Sequence, residues 1–108
     1  MIARRWNAWS RTDRADDVGS YLHATGVGEA LRTPGNLGAL LLQRDQPDRS
    51  LFELTTVWSS IDAIRAFAGE DYTRAVLYAE DEAYFLGWDV QVEHFAVATL
   101  AGFDTSHT

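Results

Sequence analysis

Residues 54–71 read LTTVWSSIDAIRAFAGED, and within this stretch the chain changes from a strand pattern to a helix pattern and then stops at a glycine. Phe52, Leu54, Thr56 and Trp58 alternate with Glu53, Thr55, Val57 and Ser59, the period of two that sends neighbouring side chains to opposite faces of a sheet. Ile61, Ile64, Phe67 and Ala68 then recur at helical spacing. Ser59 and Ser60 offer oxygens to the unpaired N–H groups of the first helical turn, and Asp62 adds negative charge near the positive helix end. Gly69 supplies the left-handed cap. The stretch predicts a strand over residues 50–59 and a helix over 61–68.

Working outward, residues 36–44 (NLGALLLQR) form the preceding strand, and Asp45-Gln46-Pro47-Asp48-Arg49 has the length and turn residues of a hairpin loop. At the N-terminus, IARRWNAWS over residues 2–10 alternates between one face with Ile2, Arg4, Trp6 and Ala8 and another with Ala3, Arg5, Asn7 and Trp9. Neither face is purely apolar, as expected of a sheet covered by helices on one side and by a partner or pocket on the other. A helix from Thr12 or Asp13 to about Thr25 turns Val18, Tyr21 and Leu22 inward, until Gly26 and Gly28 interrupt it. Downstream, Tyr72, Ala75 and Val76 share a stripe that predicts a helical piece over 71–78, and residues 81–86 suggest one more turn before Gly87. VQVEHFAVATL over 90–100 alternates and predicts the last strand.

The order is β-α-β-β-α-β, an α+β, ferredoxin-like arrangement with a four-stranded antiparallel sheet. Residues 1–100 read as one domain and 101–108 as a C-terminal tail. With its helices on one face, the sheet leaves the other to be covered, and a second copy in a homodimer is the simplest cover.

Composition narrows the function classes. A formal charge of −7 opposes binding to a phosphate backbone, so no nucleic acid partner is expected. All 9 basic residues are Arg, which excludes a Schiff-base lysine, and the absence of Cys excludes disulfides and thiolate chemistry. No apolar run is long enough for a signal peptide or a membrane span, so the chain reads as a cytoplasmic protein with no membrane partner. Glu80-Asp81-Glu82, contiguous acids without a nearby His, read as a solvated turn, and no metal site is expected.

Several runs together resemble a known family: Val57-Trp58-Ser59-Ser60, then residues 63–71 (AIRAFAGED), Arg74-Ala75-Val76, Tyr78, Asp81 and Val92-Glu93-His94-Phe95. They resemble the antibiotic biosynthesis monooxygenase-like group of the dimeric α+β barrel superfamily, closely from the third strand onward. Tyr21-Leu22, Gly26 and residues 34–44 extend the likeness more loosely; Ala79 and the neighbourhood of Val90 depart from it where members often carry Pro. The resemblance implies a homodimer with its two sheets face to face and a small-molecule pocket in each subunit between sheet and helices. Its members include cofactor-free oxygenases of polyketide-derived phenols, haem-degrading oxygenases, cyclases and isomerases. The haem branch carries an Asn on the first strand, matched by Asn7, but also a Trp early in the second helix and a His about ten residues on; Phe67 and Leu77 stand there instead. No cofactor is therefore expected.

His94, on a face with Val90, Val92 and Ala96, is the candidate general base, because an imidazole titrates near neutrality. Asn7 is the candidate group to steady a developing oxyanion. Trp58, Phe67, Tyr72, Tyr78 and Trp9 are candidates to hold a small aromatic or polyketide-like substrate. Core packing is the competing role for each aromatic, and a backbone-bonded core position for His94. Arg4, Arg5 and Arg74 read as surface cations paired with the many acids, and His23 as a helix-end cation. The expected activity is cofactor-free monooxygenation in secondary metabolism. The alternatives are a cyclase or isomerase using His94 as base, and a dimer that only binds its ligand.

Overall fold

The computed structural model describes residues 1–103. β1 (Ile2–Ser10) is a central strand, pairing along its whole length with β3 (Ser50–Trp58), from Ile2 opposite Trp58 to Ser10 opposite Ser50. The far side of β3 takes β2 (Asn36–Asp45), and the other side of β1 takes two short strands, β4 (Gly87–Trp88) and β5 (Glu93–Ala96). All these pairings are antiparallel and the order is β2-β3-β1-β4, with β5 continuing along β1. This is the ferredoxin-like α+β architecture, with the last strand in two pieces. Gln46 N–H donates to the Arg49 carbonyl at 2.8 Å, closing the hairpin between β2 and β3.

Burial alternates along the central strands. Arg4, Trp6, Ala8 and Ser10 of β1 and Phe52, Leu54, Thr56 and Trp58 of β3 are buried, while the residues between them are half-buried. Directly opposite residues of an antiparallel pair share a face, so this parity defines one covered face. Its cover is α1 (Ala15–Leu22), α2 (Gly28–Arg32) and α3 (Ile61–Ala68). Val18, Leu22 and Val27 pack with Trp6, Phe52 and Leu54, and Ala30 and Ile64 pack with Trp58 in a second cluster. Among the described residues no element covers the opposite face, which is bare, with Leu40 44%, Leu42 45% and Phe95 45% exposed.

α3 forms where its caps predict. Ser60 Oγ accepts from Ala63 N–H at 3.1 Å, and Gly69 ends the helix at φ +89°, ψ −179°, a positive-φ glycine as expected but extended in ψ rather than in the left-handed helical conformation. The first helical segment is longer than its glycines suggest. A 3₁₀ turn at Thr12–Arg14 leads into α1, and Gly26 and Gly28 do not end the helix: one wider π turn, His23–Val27, carries it into α2. At Gly26 the turn comes close to the sheet, and a Cβ would lie 2.9 Å from Leu54 Cδ2, so the Leu54 side chain would have to shift.

Two expected elements differ. The expected helical piece over 71–78 is a turn, closed by Arg74 N–H on the Asp71 carbonyl at 3.1 Å, followed by an extended segment, because its backbone has better partners elsewhere. Ala75 N–H donates to the Val90 carbonyl at 3.0 Å and Val92 N–H to the Thr73 carbonyl at 2.8 Å. Arg4 Nη2 donates to the carbonyls of Arg74 at 2.8 Å and Tyr72 at 3.4 Å. The expected strand over 90–100 is correspondingly short, since residues 90–92 face outward to 73–75 and β1 runs out where Ile2 meets Ala96. α4 (Asp81–Tyr84) supplies the turn before Gly87. Ala101–Phe103 are exposed, and the remainder of the expected tail lies outside the described residues.

Candidate functional site

A cleft opens between the covered face of the sheet and the helical layer, at the π turn. β1 contributes Arg4 and Trp6, β3 contributes Leu54 and Thr56, and the helical segment contributes Leu22, Thr25 and Gly26. Phe67, Val76, Tyr78 and Asp81 close it. The inner part has a volume of about 30 Å³, room for roughly two waters. Phe67, Val76 and Tyr78 are shared with an outer, open part of about 260 Å³ that Glu29 and Thr33 rim.

Two buried charged residues face this cleft. Asp81, 3% exposed, accepts from the Tyr21 hydroxyl and from Tyr78 N–H at 2.9 Å. Burial and this carboxylate hold the Tyr21 phenol far above its ordinary pKa. Tyr78 is also raised, by burial and by Glu29 and Asp81, so its hydroxyl stays a neutral donor. Arg4, 5% exposed, has no carboxylate within ion-pair distance among the described residues. Its Nη2 is held by two backbone carbonyls, its guanidinium lies 5.6 Å from the Phe67 ring centroid, and its Nε has no partner. Burial lowers its pKa to about 10, so it remains cationic at neutral pH.

The expected site residues divide among three places. Phe67 and Tyr78 line the cleft. Trp58 backs Phe67, with ring centroids 5.1 Å apart, and belongs to the core. His94 and Tyr72 stand together beside Arg4, ring centroids 5.4 Å apart, His94 directly opposite Arg4 in the sheet; neither lines the cleft. Asn7 and Trp9 lie on the bare face, since they alternate with the covered residues of β1. Asn7 Nδ2 donates to Asp89 Oδ2 at 3.2 Å. Asn7 and His94 thus sit on opposite sides of one sheet and do not converge within a protomer.

Two readings are corrected. Arg4 is not a surface cation, and Asp81 is not part of a solvated turn; both were concealed because their burial depends on segments far away in sequence. Arg5 does pair as expected, with Glu93 at 2.8 Å. Thr25, Gly26, Thr56 and Val76 carried no local signal of a cleft.

His94 Nε2 is buried without a partner, and burial, followed by the Arg4 charge, lowers the imidazole pKa below the usual 6.5. The unfolded chain therefore binds more protons just below pH 6.5, and folding stability falls as pH drops through that window towards the folded-state value. Urea unfolding midpoints between about pH 5 and 7.5 should show this slope, and His94→Gln should flatten it. An unchanged slope would mean that His94 titrates as it does in the unfolded chain.

The donor set does not fit a haem. Among the described residues no imidazole, thiolate or thioether lines either part of the cleft, and Tyr78 resists ionisation. Among the described residues no group of three or more His, Cys, Asp or Glu could hold a metal ion, and no helix is long and apolar enough to cross a membrane.

No protein-family model matches the chain, and no curated protein does. Solved structures do. A protein from Nitrosomonas europaea assigned to the antibiotic biosynthesis monooxygenases superposes with a TM-score of 0.62 at 17% identity, over 92% of this chain and 100% of that one. The heme-degrader MhuD from Mycobacterium tuberculosis gives 0.56 at 21% identity, over 94% and 100%. SnoaB, a cofactor-independent oxygenase from Streptomyces nogalater, gives 0.54 at 18% identity, over 92% and 95%. The chain has the fold of the antibiotic biosynthesis monooxygenase-like structures.

Proposed function

We propose that this chain is a cofactor-independent monooxygenase of secondary metabolism, acting on an electron-rich aromatic or polyketide-like substrate. The observation that carries this reading is the cleft itself: Trp6, Leu54, Phe67 and Val76 give it apolar walls, and Thr25, Thr56 and Tyr78 bring hydroxyls to orient a ring oxygen. The fold shared with SnoaB supports it. With no redox group of the protein's own, the electrons come from the substrate. A ring CH₂ loses a proton, the resulting anion passes an electron to O₂, and the carbon ends as C=O; one oxygen atom stays on carbon and the other leaves as water.

The reading includes a homodimer formed through the bare sheet face, where Leu40, Leu42 and Phe95 are exposed. Sedimentation showing a single chain at micromolar concentration would remove that part.

Oxygen uptake with tricyclic anthrone-type substrates under ¹⁸O₂ tests the chemistry. The expected result is one O₂ consumed per product and one labelled oxygen incorporated. Ligand binding without oxygen uptake would overturn it, and a product isomeric with its substrate would place a cyclase or isomerase in this pocket.

A further inference from the structure

Resting on the reading of the cleft as a pocket for a planar aromatic ligand, we propose that Arg4 is its anion site, with the Nε–H donating to a single ionised oxygen, a phenolate or enolate, on that ligand.

Arg4 is an unfinished interaction. A buried guanidinium ordinarily has a carboxylate partner and satisfied N–H groups, because an unpaired charge and an unmet donor are both costly inside a protein. Here the side chain is 5% exposed, no described acid pairs with it, and Nε has no acceptor. Asp81 shares the cleft, yet it is engaged by the Tyr21 hydroxyl and the Tyr78 N–H. His94, opposite Arg4, and Arg74, whose carbonyl Arg4 holds, bring no negative charge. An anionic ligand oxygen supplies both missing parts, a counter-charge and a hydrogen-bond acceptor, in a site where charge-assisted bonds are strong.

The geometry also selects the kind of anion. A carboxylate is best held by two parallel N–H donors on one guanidinium edge. Nη2 is committed to the carbonyls of Arg74 and Tyr72, and both forked edges of the guanidinium include it, so what is left are single donors, Nη1 on one edge and on the other the buried, unpartnered Nε. Phe67 lies over the guanidinium, which leaves its edge to the ligand. One N–H suits one oxygen. A flat ring in the outer part of the cleft, against Phe67 and Val76, would point a ring oxygen inward to it, and Tyr78, kept neutral, could donate to a second oxygen of the same ligand.

Two effects of opposite sign therefore act on a bound phenol. Burial in apolar surroundings raises its pKa, and Arg4 lowers it. The proposal is that Arg4 wins.

The test uses 4-nitrophenol, whose ionised form absorbs visible light, titrated with pH in the presence of excess protein. The wild-type protein should lower the apparent pKa of the bound phenol by about one unit or more, equivalent to about a tenfold preference for the phenolate. 4-Nitroanisole, which cannot ionise, should bind correspondingly more weakly. In Arg4→Met the shift should vanish or reverse, with circular dichroism confirming the fold. A raised pKa in the wild type, an unchanged shift in Arg4→Met, or no saturable binding of 4-nitrophenol would each overturn the proposal. If Arg4→Met does not fold, the sign of the wild-type shift decides. Absent oxygen uptake with a lowered phenol pKa would remove the monooxygenase reading and leave Arg4 standing; the converse pair of results would remove Arg4 alone.

Discussion

Trp58→Ala should lower the unfolding free energy by about 3–5 kcal/mol, the usual cost of emptying a large aromatic site. Trp58 is wholly buried, packs with Ala30 and Ile64, and donates its indole N–H to Thr56 Oγ1 at 2.8 Å. Its cluster is small, so few neighbours can move in to fill the space. The effect should also reach the cleft, because Trp58 backs Phe67 and Phe67 is a cleft wall. Urea denaturation followed by circular dichroism measures the loss. Trp58→Phe separates the contributions, since it keeps an aromatic ring but leaves Thr56 without its donor. A loss below about 1 kcal/mol for the alanine variant would mean that this cluster collapses freely and does not brace the site.

Gly35→Ala should destabilise by about 2–5 kcal/mol, combining positive-φ strain with overpacking. Gly35 has φ +91°, its added Cβ would stand 2.5 Å from Ala63 Cβ and 3.1 Å from Ser59 Oγ, and its carbonyl accepts from Ser59 N–H at 2.9 Å. The residue therefore joins the start of β2 to the start of α3, and neither backbone can retreat without losing that bond. Gly69→Ala isolates the backbone contribution, since Gly69 has φ +89° but nothing within 4 Å of its would-be Cβ. Equal losses in the two variants would show that the Ala63 contact yields at no cost.

These effects mark what the sequence displays well. β1 and α3 lie where alternation and capping place them, because a period-two run and a Ser60 cap are local signals that survive folding unchanged. The extended 73–75 segment was illegible for the opposite reason. Its stripe of Tyr72, Ala75 and Val76 fits a helix, and only the availability of residues 90–92 as partners makes extension better. The site shows the same division. Phe67 and Tyr78 were readable as aromatic walls, and they line the cleft. The alternation of β1 separates Asn7 from Arg4, Trp6 and Ala8, but both faces carry a Trp and an Arg, so nothing local says which one the helices cover. Asp81 meets Tyr21 across 60 positions of sequence, and Arg4 owes its burial to a segment about 70 positions away. A charge reads as solvated until its distant neighbours are known.

The division of the last strand into β4 and β5 makes the two margins of the sheet unlike. On one margin the ladder breaks between Trp88 and Glu93, and residues 73–75 shield the gap. Such a margin is a poor template for another chain, as interrupted and covered edges generally are. The other margin, β2, runs unbroken from Gly38 to Asp45 after a single register shift and carries Leu40 and Leu42 exposed. Among the described residues, strand addition from outside, whether as ordered assembly or as the first step of aggregation, therefore finds its open template along β2.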